Sequence, residues 1–313
     1  LIDYSRMNLL YFNGLRQLEE KYLTNIDGQL IEDPQQHFAL IALTLVHADS
    51  TVYPNGMSLE FQLESFKNYY KIQSLAKANN PTPFSVGLRT PHKQYDSCCL
   101  FSVDDDNNSI DPGMSTAMQA TIAGAGVGVS LGRIRAKGKT FRKTGKHGGL
   151  NGYLKQLSAT VKGSNQTSRG GSATVNFPLW HRDIFELIML KDVVSGIEGE
   201  NRFRHLDYCF HYSNYLLEKL STNDKILLIS PNERLASGKT VYEAFYNVDE
   251  NGKYDDREYK EFEQALLKTD LPYLTASNLN TAKAGAPAYT TAYELFSLLT
   301  SQMMSVGRNY TLN

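Results

Sequence analysis

Between Leu9 and Leu23 the apolar residues Leu15, Leu18, Tyr22 and Leu23 recur at helical spacing, and Asp27-Gly28 then marks a tight turn between short strands. Further helices are predicted over Pro34 to His47 and Ser58 to Ala78, so the chain opens with a helical domain over residues 1–80. Asn80-Pro81-Thr82-Pro83 reads as its exit, because a residue before proline is pushed out of the helical region.

Beyond Pro81 the rhythm changes. Short apolar runs predict strands at Ser97 to Val103, Gly126 to Leu131, Ala173 to Pro178, Leu206 to Tyr212 and Asn309 to Asn313. Helical patterns fall between them, at Gly113 to Ala123, Gly148 to Gly163, Asp183 to Leu190, Ser213 to Leu220 and Thr291 to Met304. Such alternation predicts a parallel α/β architecture over residues 81–313. A small insertion over Lys225 to Leu271 carries a strand at Ile226 to Ile229 and charged helices.

Composition narrows the class. With 313 residues, 41% of them hydrophobic, there is ample apolar material for a core. A net charge of -1 speaks against binding a nucleic acid polymer over a broad surface, so any phosphate recognised belongs to a small molecule. The longest apolar stretch, Phe38 to Val46, is far short of the roughly 20 residues that cross a bilayer, and no signal peptide is visible, so no membrane association and a cytoplasmic location are expected. Only 3 cysteines occur, two of them adjacent at Cys98 and Cys99, and neighbours in an extended strand face opposite ways. No disulfide framework follows, and the sequons at Asn107, Asn165 and Asn309 carry no meaning in that compartment. The first residue, Leu1, and the strand-like end Arg308 to Asn313 lead us to expect further sequence beyond either end.

Several stretches could carry chemistry. Gly124-Ala125-Gly126-Val127-Gly128 lacks the dinucleotide spacing G-x-G-x-x-G and runs into a strand, so close backbone approach of a ligand is its reading. Arg133, Arg135, Lys137, Lys139, Arg142, Lys143 and Lys146 form a basic loop without an acidic residue. Such a loop is often merely solvated, yet Asp104-Asp105-Asp106-Asn107 leaves the preceding strand at the same sheet end. Carboxylates for ribose hydroxyls would then stand beside guanidiniums for phosphates. A polar loop, Lys162 to Ser172, surrounds Arg169 and has no P-loop pattern. The 7 histidines have no ligand-spaced partners, so no metal site is expected; His181 and His205 read as structural residues, and Cys209 as a buried apolar one.

In order, Pro81-Thr82-Pro83, Gly87-Leu88-Arg89-Thr90-Pro91, Ser97-Cys98, Ala125-Gly126-Val127-Gly128-Val129, Gly132-Arg133-Ile134-Arg135-Ala136, Arg169 to Thr174, Pro178-Leu179-Trp180-His181, Arg204 to Tyr208, Glu294 to Leu298 and Gly307-Arg308 resemble the large, catalytic alpha subunit of class Ia ribonucleotide reductases. The resemblance runs from about Leu9 to Asn313. It implies the first half, five parallel strands, of a ten-stranded α/β barrel behind the helical domain. It also implies that Cys98 is one of two thiols that reduce the ribose 2' carbon and end as a redox-active disulfide. Thr82, Ser97, Gly126 and Arg169 correspond to substrate contacts. Asp105, Asp106, Asn107, Arg135 and Arg142 correspond to an allosteric specificity site that takes a nucleoside triphosphate effector (dTTP, dGTP, dATP or ATP, with Mg).

The implied partners are a ribonucleoside diphosphate substrate, a second large subunit, a small subunit whose metal supplies the radical, and thioredoxin or glutaredoxin. No cofactor is expected to be bound covalently. The second redox cysteine and the family's Asn-x-Cys-x-Glu motif are missing from this sequence, as is an ATP-cone. We therefore expect a complementary C-terminal half, as in a split viral or phage version, or as the rest of a longer chain. The first two loops are about a residue shorter than the family pattern, which leaves the effector rules open. A non-catalytic nucleotide-binding module for regulation or assembly is the alternative.

Overall fold

A computed structural model describes every residue except 54, 89, 91–93, 142–144, 165–169 and 313. The described chain divides into two compact units, one built on Leu1–Cys98 and the other on the segments from Cys99 onward.

The first unit is helical: α1 (Phe12–Lys21), a two-residue hairpin of β1 (Asn25–Ile26) and β2 (Gln29–Leu30), then α2 (Pro34–Val52), α3 (Leu59–Ser74) and α4 (Thr82–Gly87). The hairpin turn needs positive φ at both central residues, which Asp27 and Gly28 supply at 52° and 84°. A capping box starts α2: Asp33 Oδ1 accepts from the backbone N–H groups of Gln35 and Gln36, and Gln36 Oε1 accepts from the backbone of Asp33. Ala39, Ala42 and Tyr70 form the core between α2 and α3, with Phe38, Phe66 and Tyr69 packed against them. The supposed proline exit is itself a helix, α4, because Pro81 occupies the N-cap position and Pro83 falls in the first turn, where a missing N–H costs nothing.

The second unit is built on a sheet of five parallel strands: β3 (Cys98–Ser102), β4 (Gly126–Ser130), β7 (Ala173–Pro178), β8 (Asp207–His211) and β11 (Asn309–Leu312). Their spatial order follows the chain order, so each crossover adds a strand beside the last. Register is carried by pairs such as Val129↔Val175, Val175↔Tyr208 and Cys209↔Tyr310. Val127, Val129, Val175, Phe177, Tyr208 and Phe210 are all buried, as expected of strands covered by helices. The crossover helices include α5 (Asn107–Ile122), α6 (Asn151–Gly163), α7 (Ile184–Ile188), α8 (Asn214–Thr222) and α11 (Ala292–Val306). A Cβ on Gly113 would come within 2.9 Å of Val103 Cγ2, so glycine sets how closely α5 rides on the strand end.

Three sequence expectations shift. The helix predicted to start at Gly113 starts at Asn107, with Pro112 inside it. Asp106 caps it, its Oδ1 accepting the Ser109 N–H (3.1 Å) and its carbonyl the Ile110 N–H (3.0 Å), and this local gain outweighs the backbone bond lost at the proline. The basic loop contains a short hairpin, β5 (Thr140–Phe141) against β6 (Gly145–Lys146). The insertion also extends beyond Leu271. It opens with β9 (Lys225–Leu228), contains α9 (Val241–Phe245) and α10 (Arg257–Leu267), and closes with β10 (Ala288–Thr291), antiparallel to β9.

Four histidines of the second unit, His147, His181, His205 and His211, have pKa values lowered from the ordinary 6.5, each chiefly by desolvation. His181 is the extreme case: fully buried, its Nδ1 accepts the Asp183 N–H at 3.1 Å, which assigns the proton to Nε2, 3.1 Å from the Ile134 carbonyl. Below pH 6.5 the unfolded chain takes up protons that the folded chain refuses, so stability contributed by these residues is full above that value and is lost as pH falls beneath it. The urea midpoint should therefore be lower at about pH 5.5 than at about pH 7.5, and His181→Gln should reduce the difference; equal midpoints in the unsubstituted protein would refute this.

Candidate functional site

A cavity of about 230 Å³ in the second unit is lined by Asp105, Asp106, Asn107, Ile110, Arg135, His147 and Tyr153. Three local events build it. The chain leaves β3 through Asp104-Asp105-Asp106 and turns into α5, whose first residue is Asn107. The segment after β4 returns Arg135 to the same place, where its Nε donates to Asp105 Oδ2 (2.6 Å) and its backbone N–H to Asp105 Oδ1 (3.2 Å). His147, at the end of the basic hairpin, stacks on Tyr153 of α6 with ring centroids 5.8 Å apart.

The site is electrostatically mixed. The N-terminus of α5 presents a positive dipole end, favourable to an anion, and Arg135 adds a full charge. Asp105 is already engaged by Arg135, the two side chains being 17% and 20% exposed, so this carboxylate orients the guanidinium. Asp106 is largely occupied by capping. Desolvation lowers the His147 pKa, and desolvation followed by the Asp105 charge raises that of Tyr153, so near neutrality both rings are uncharged stacking surfaces. Such a pocket can take a charged group at the Arg135 end and a flat ring against His147 and Tyr153.

A second cavity, about 330 Å³, shares Asp105, Asp106 and Arg135 and is closed by the insertion, with Arg234, Thr240 and Tyr242 among its walls. Arg133 lies over the Tyr242 ring at 5.1 Å and pairs with Asp104 at 2.7 Å.

Of the residues predicted from sequence, Asp105, Asp106, Asn107 and Arg135 are brought together. Arg142 and Arg169 fall outside the described residues. Thr82, Ser97 and Cys98 belong to the first unit. Thr82 opens α4, its hydroxyl 2.9 Å from that of Tyr22. Ser97 Oγ lies 3.5 Å from Cys98 Sγ, and Cys98 is exposed at the head of β3. Cys99 is half-buried, in keeping with the alternation along the strand, and Cys209 is buried. Gly126 opens β4, half-buried. The neighbouring Gly128 does not leave room for a ligand: a Cβ there would stand 2.3 Å from Leu100 Cδ2, so its space is filled by β3.

His147, Tyr153, Arg234 and Tyr242 were not anticipated. His147 follows directly on the basic run and Tyr153 lies near the start of α6, a weak signal; Arg234 and Tyr242 lie more than eighty residues further on and leave none. Among the described residues no cluster of His, Cys, Asp and Glu could hold a metal ion, and no helix is long and apolar enough to cross a membrane.

Comparison with known proteins supplies the remaining context. The model of the ribonucleotide reductase all-alpha domain matches residues 8–93, and that of the ribonucleotide reductase barrel domain matches residues 96–313. The ribonucleoside-diphosphate reductase subunit alpha of Buchnera aphidicola subsp. Baizongia pistaciae is 33% identical over 311 residues, covering 98% of this chain and 36% of that protein. Ribonucleoside-diphosphate reductase 1 subunit alpha of Escherichia coli K12 is 31% identical over 316 residues, covering 100% and 37% respectively. The subunit alpha of enterobacteria phage T4 is 33% identical over 252 residues, 79% of this chain and 32% of that protein. The chain thus spans about a third of the length of these relatives.

Proposed function

The chain belongs to the family of ribonucleotide reductase large subunits, and from that premise we propose that it forms part of a ribonucleoside-diphosphate reductase. The observation that carries this reading is the match, over nearly the whole chain, to relatives named ribonucleoside-diphosphate reductase subunit alpha.

In this reading Cys98 and the residues named with it serve the reaction. Cys98 and a second thiol from outside the 313 residues each give up a hydrogen and join as a disulfide, while the ribose 2' hydroxyl leaves as water and the carbon is reduced. Ser97, Thr82, Gly126 and Arg169 hold the substrate. A separate radical-generating small subunit starts the chemistry, thioredoxin or glutaredoxin restores the dithiol, and the protein works in the cytoplasm. A complementary C-terminal half completes a ten-stranded barrel around β11.

The Asp105 and Arg135 cavity is the effector site of this proposal, at the dimer interface, with the α5 N-terminus and Arg135 toward the phosphates and the His147 and Tyr153 rings toward the base. Arg142 would add a second cation. Because Asp105 holds Arg135 through two hydrogen bonds, Asp105→Ala should weaken dTTP binding about tenfold, equivalent to ~1.4 kcal/mol. Equilibrium binding of labelled dTTP reads this directly, and unchanged affinity would remove the site assignment. Turnover of ribonucleoside diphosphates by the protein assembled with its C-terminal half and small subunit tests the activity itself. Effector binding without turnover in that assembly would favour the regulatory module.

A further inference from the structure

Behind the basic hairpin lies a third cavity, of about 260 Å³, walled by Lys137, Arg182, Asp183, Glu186 and the segment 279–285. Its floor is unusual. Arg182 is only 5% exposed, and its one side-chain hydrogen bond among the described residues runs from Nε to the Ala286 carbonyl at 2.6 Å. A guanidinium carries five N–H donors, and the four on Nη1 and Nη2 have no acceptor among the described residues, while the side chain lines this cavity. No described carboxylate lies within ion-pair distance of it either; the Asp183 and Glu186 charges act on it from further off, and its terminal N–H groups are left to whatever fills the cavity, water or a ligand.

The surroundings are rigidly made. His181 bonds the Asp183 N–H on one side and the Ile134 carbonyl on the other, and the Arg182 backbone N–H donates to the Ile229 carbonyl at 3.0 Å. Gly138, at φ +83°, lets the hairpin touch the opposite wall: a Cβ there would meet the Ala284 carbonyl oxygen at 2.6 Å. Lys139 is not available to the cavity, since it pairs with Glu233. Asp183 Oδ2 accepts the Lys137 backbone N–H at 2.8 Å, and Lys137 Nζ stands 3.8 Å from Glu186 at the half-exposed mouth. Two cations and two carboxylates therefore line the same space, which disfavours a polyphosphate and suits a small molecule of low charge. At ~30 Å³ per water in the liquid, the space exceeds a lone ion and leaves room for hydroxyl or amino donors against Asp183 and Glu186.

We infer that this cavity is a binding site for the oxyanion group, phosphate or carboxylate, of a small polar molecule, held by forked hydrogen bonds from Arg182 with Lys137 at the mouth. The planar fork of arginine matches both kinds of oxyanion, and burial strengthens the pair. The inference is independent of the reductase reading.

The test is a calorimetric titration of the full protein with inorganic phosphate and, separately, with acetate. Saturable binding of either at millimolar concentration is expected, and which of the two binds identifies the source of the oxyanion. Arg182→Gln, which keeps a polar group while removing the charge, should weaken binding at least ~10-fold. Lys137→Gln, at a half-exposed position that burdens folding little, should weaken it by a few fold and serves as the test if Arg182→Gln does not fold. A phosphate-soaked crystal should show the anion against Arg182. Absence of saturable binding by both probes, equal affinity in the variants, or anion density only elsewhere would each overturn the assignment.

Discussion

Under the proposed function, replacing Cys98 with serine is expected to abolish turnover of ribonucleoside diphosphates in the assembled enzyme while leaving effector binding intact. Serine keeps the size and hydrogen-bonding capacity of the side chain, so the 3.5 Å contact with Ser97 survives. Cys98 is exposed at the head of β3, and surface substitutions of this kind usually move stability by less than about 0.5 kcal/mol. A hydroxyl cannot form a disulfide, however, so the electrons for the 2' carbon have no source. A loss of ~10³-fold or more, at least ~4 kcal/mol of barrier, should follow. The neighbouring thiols provide the controls. Cys99 alternates with Cys98 along the strand and is half-buried, and desolvation raises the pKa of buried Cys209, which suppresses the reactive thiolate. Cys99→Ser and Cys209→Ser should retain turnover within a few fold. Turnover by Cys98→Ser at the unsubstituted rate would eliminate the assigned thiol chemistry, and the effector-binding assay run in parallel separates that outcome from misfolding.

The parts of this molecule that were legible in the sequence are those set by short-range patterning. Strands β4, β7 and β8 carry runs of buried apolar residues, and the strands predicted there match within a residue at each end. The start of α5 was misplaced because Pro112 and Gly113 look like helix punctuation, whereas the deciding group is the carboxylate of Asp106, whose capping bond depends on local backbone geometry. Strand β10 escaped because four residues, Ala288 to Thr291, carry little periodicity, and their partner, β9, is some sixty residues earlier. The cavities show the same division. Asp105, Asp106 and Asn107 are consecutive and stand out as a charged turn beside a basic run. Tyr242 comes to Arg133 only through the folded insertion, and nothing around Arg182 in the sequence announces that its guanidinium is buried. Local order is written in neighbouring residues, while burial of a charge is a property of the tertiary packing around it.

That distinction sets the largest stability effect, at Asp207. This residue opens β8 and is 5% exposed; its Oδ1 accepts from Lys191 Nζ at 2.8 Å and its Oδ2 from Arg308 at 2.7 Å. Lys191 is equally buried, and its ammonium also donates to the carbonyls of Arg204 (2.8 Å) and Leu206 (2.6 Å), so all three of its donors are used. Arg308 reaches Asp207 from the residue between Gly307, the left-handed cap of α11, and the start of β11. One carboxylate thus ties the 3-10 turn after α7, the head of β8 and the entry to β11. The pair need not be worth much relative to an apolar substitute, since both ions lost their hydration on folding. Breaking it is another matter, because Asp207→Ala leaves the Lys191 ammonium buried without a counter-charge, at a cost of about 3–5 kcal/mol. Arg308→Ala removes a side chain that is 55% exposed and leaves the Lys191 pair whole, so at most ~1 kcal/mol is expected there. The double change Asp207→Ala with Lys191→Met should recover much of the loss by removing the stranded charge. Urea midpoints of the four proteins measure all three effects. If Asp207→Ala costs no more than Arg308→Ala, the Lys191 ammonium finds other partners without penalty, and the tie at β8 contributes nothing to holding the sheet edge.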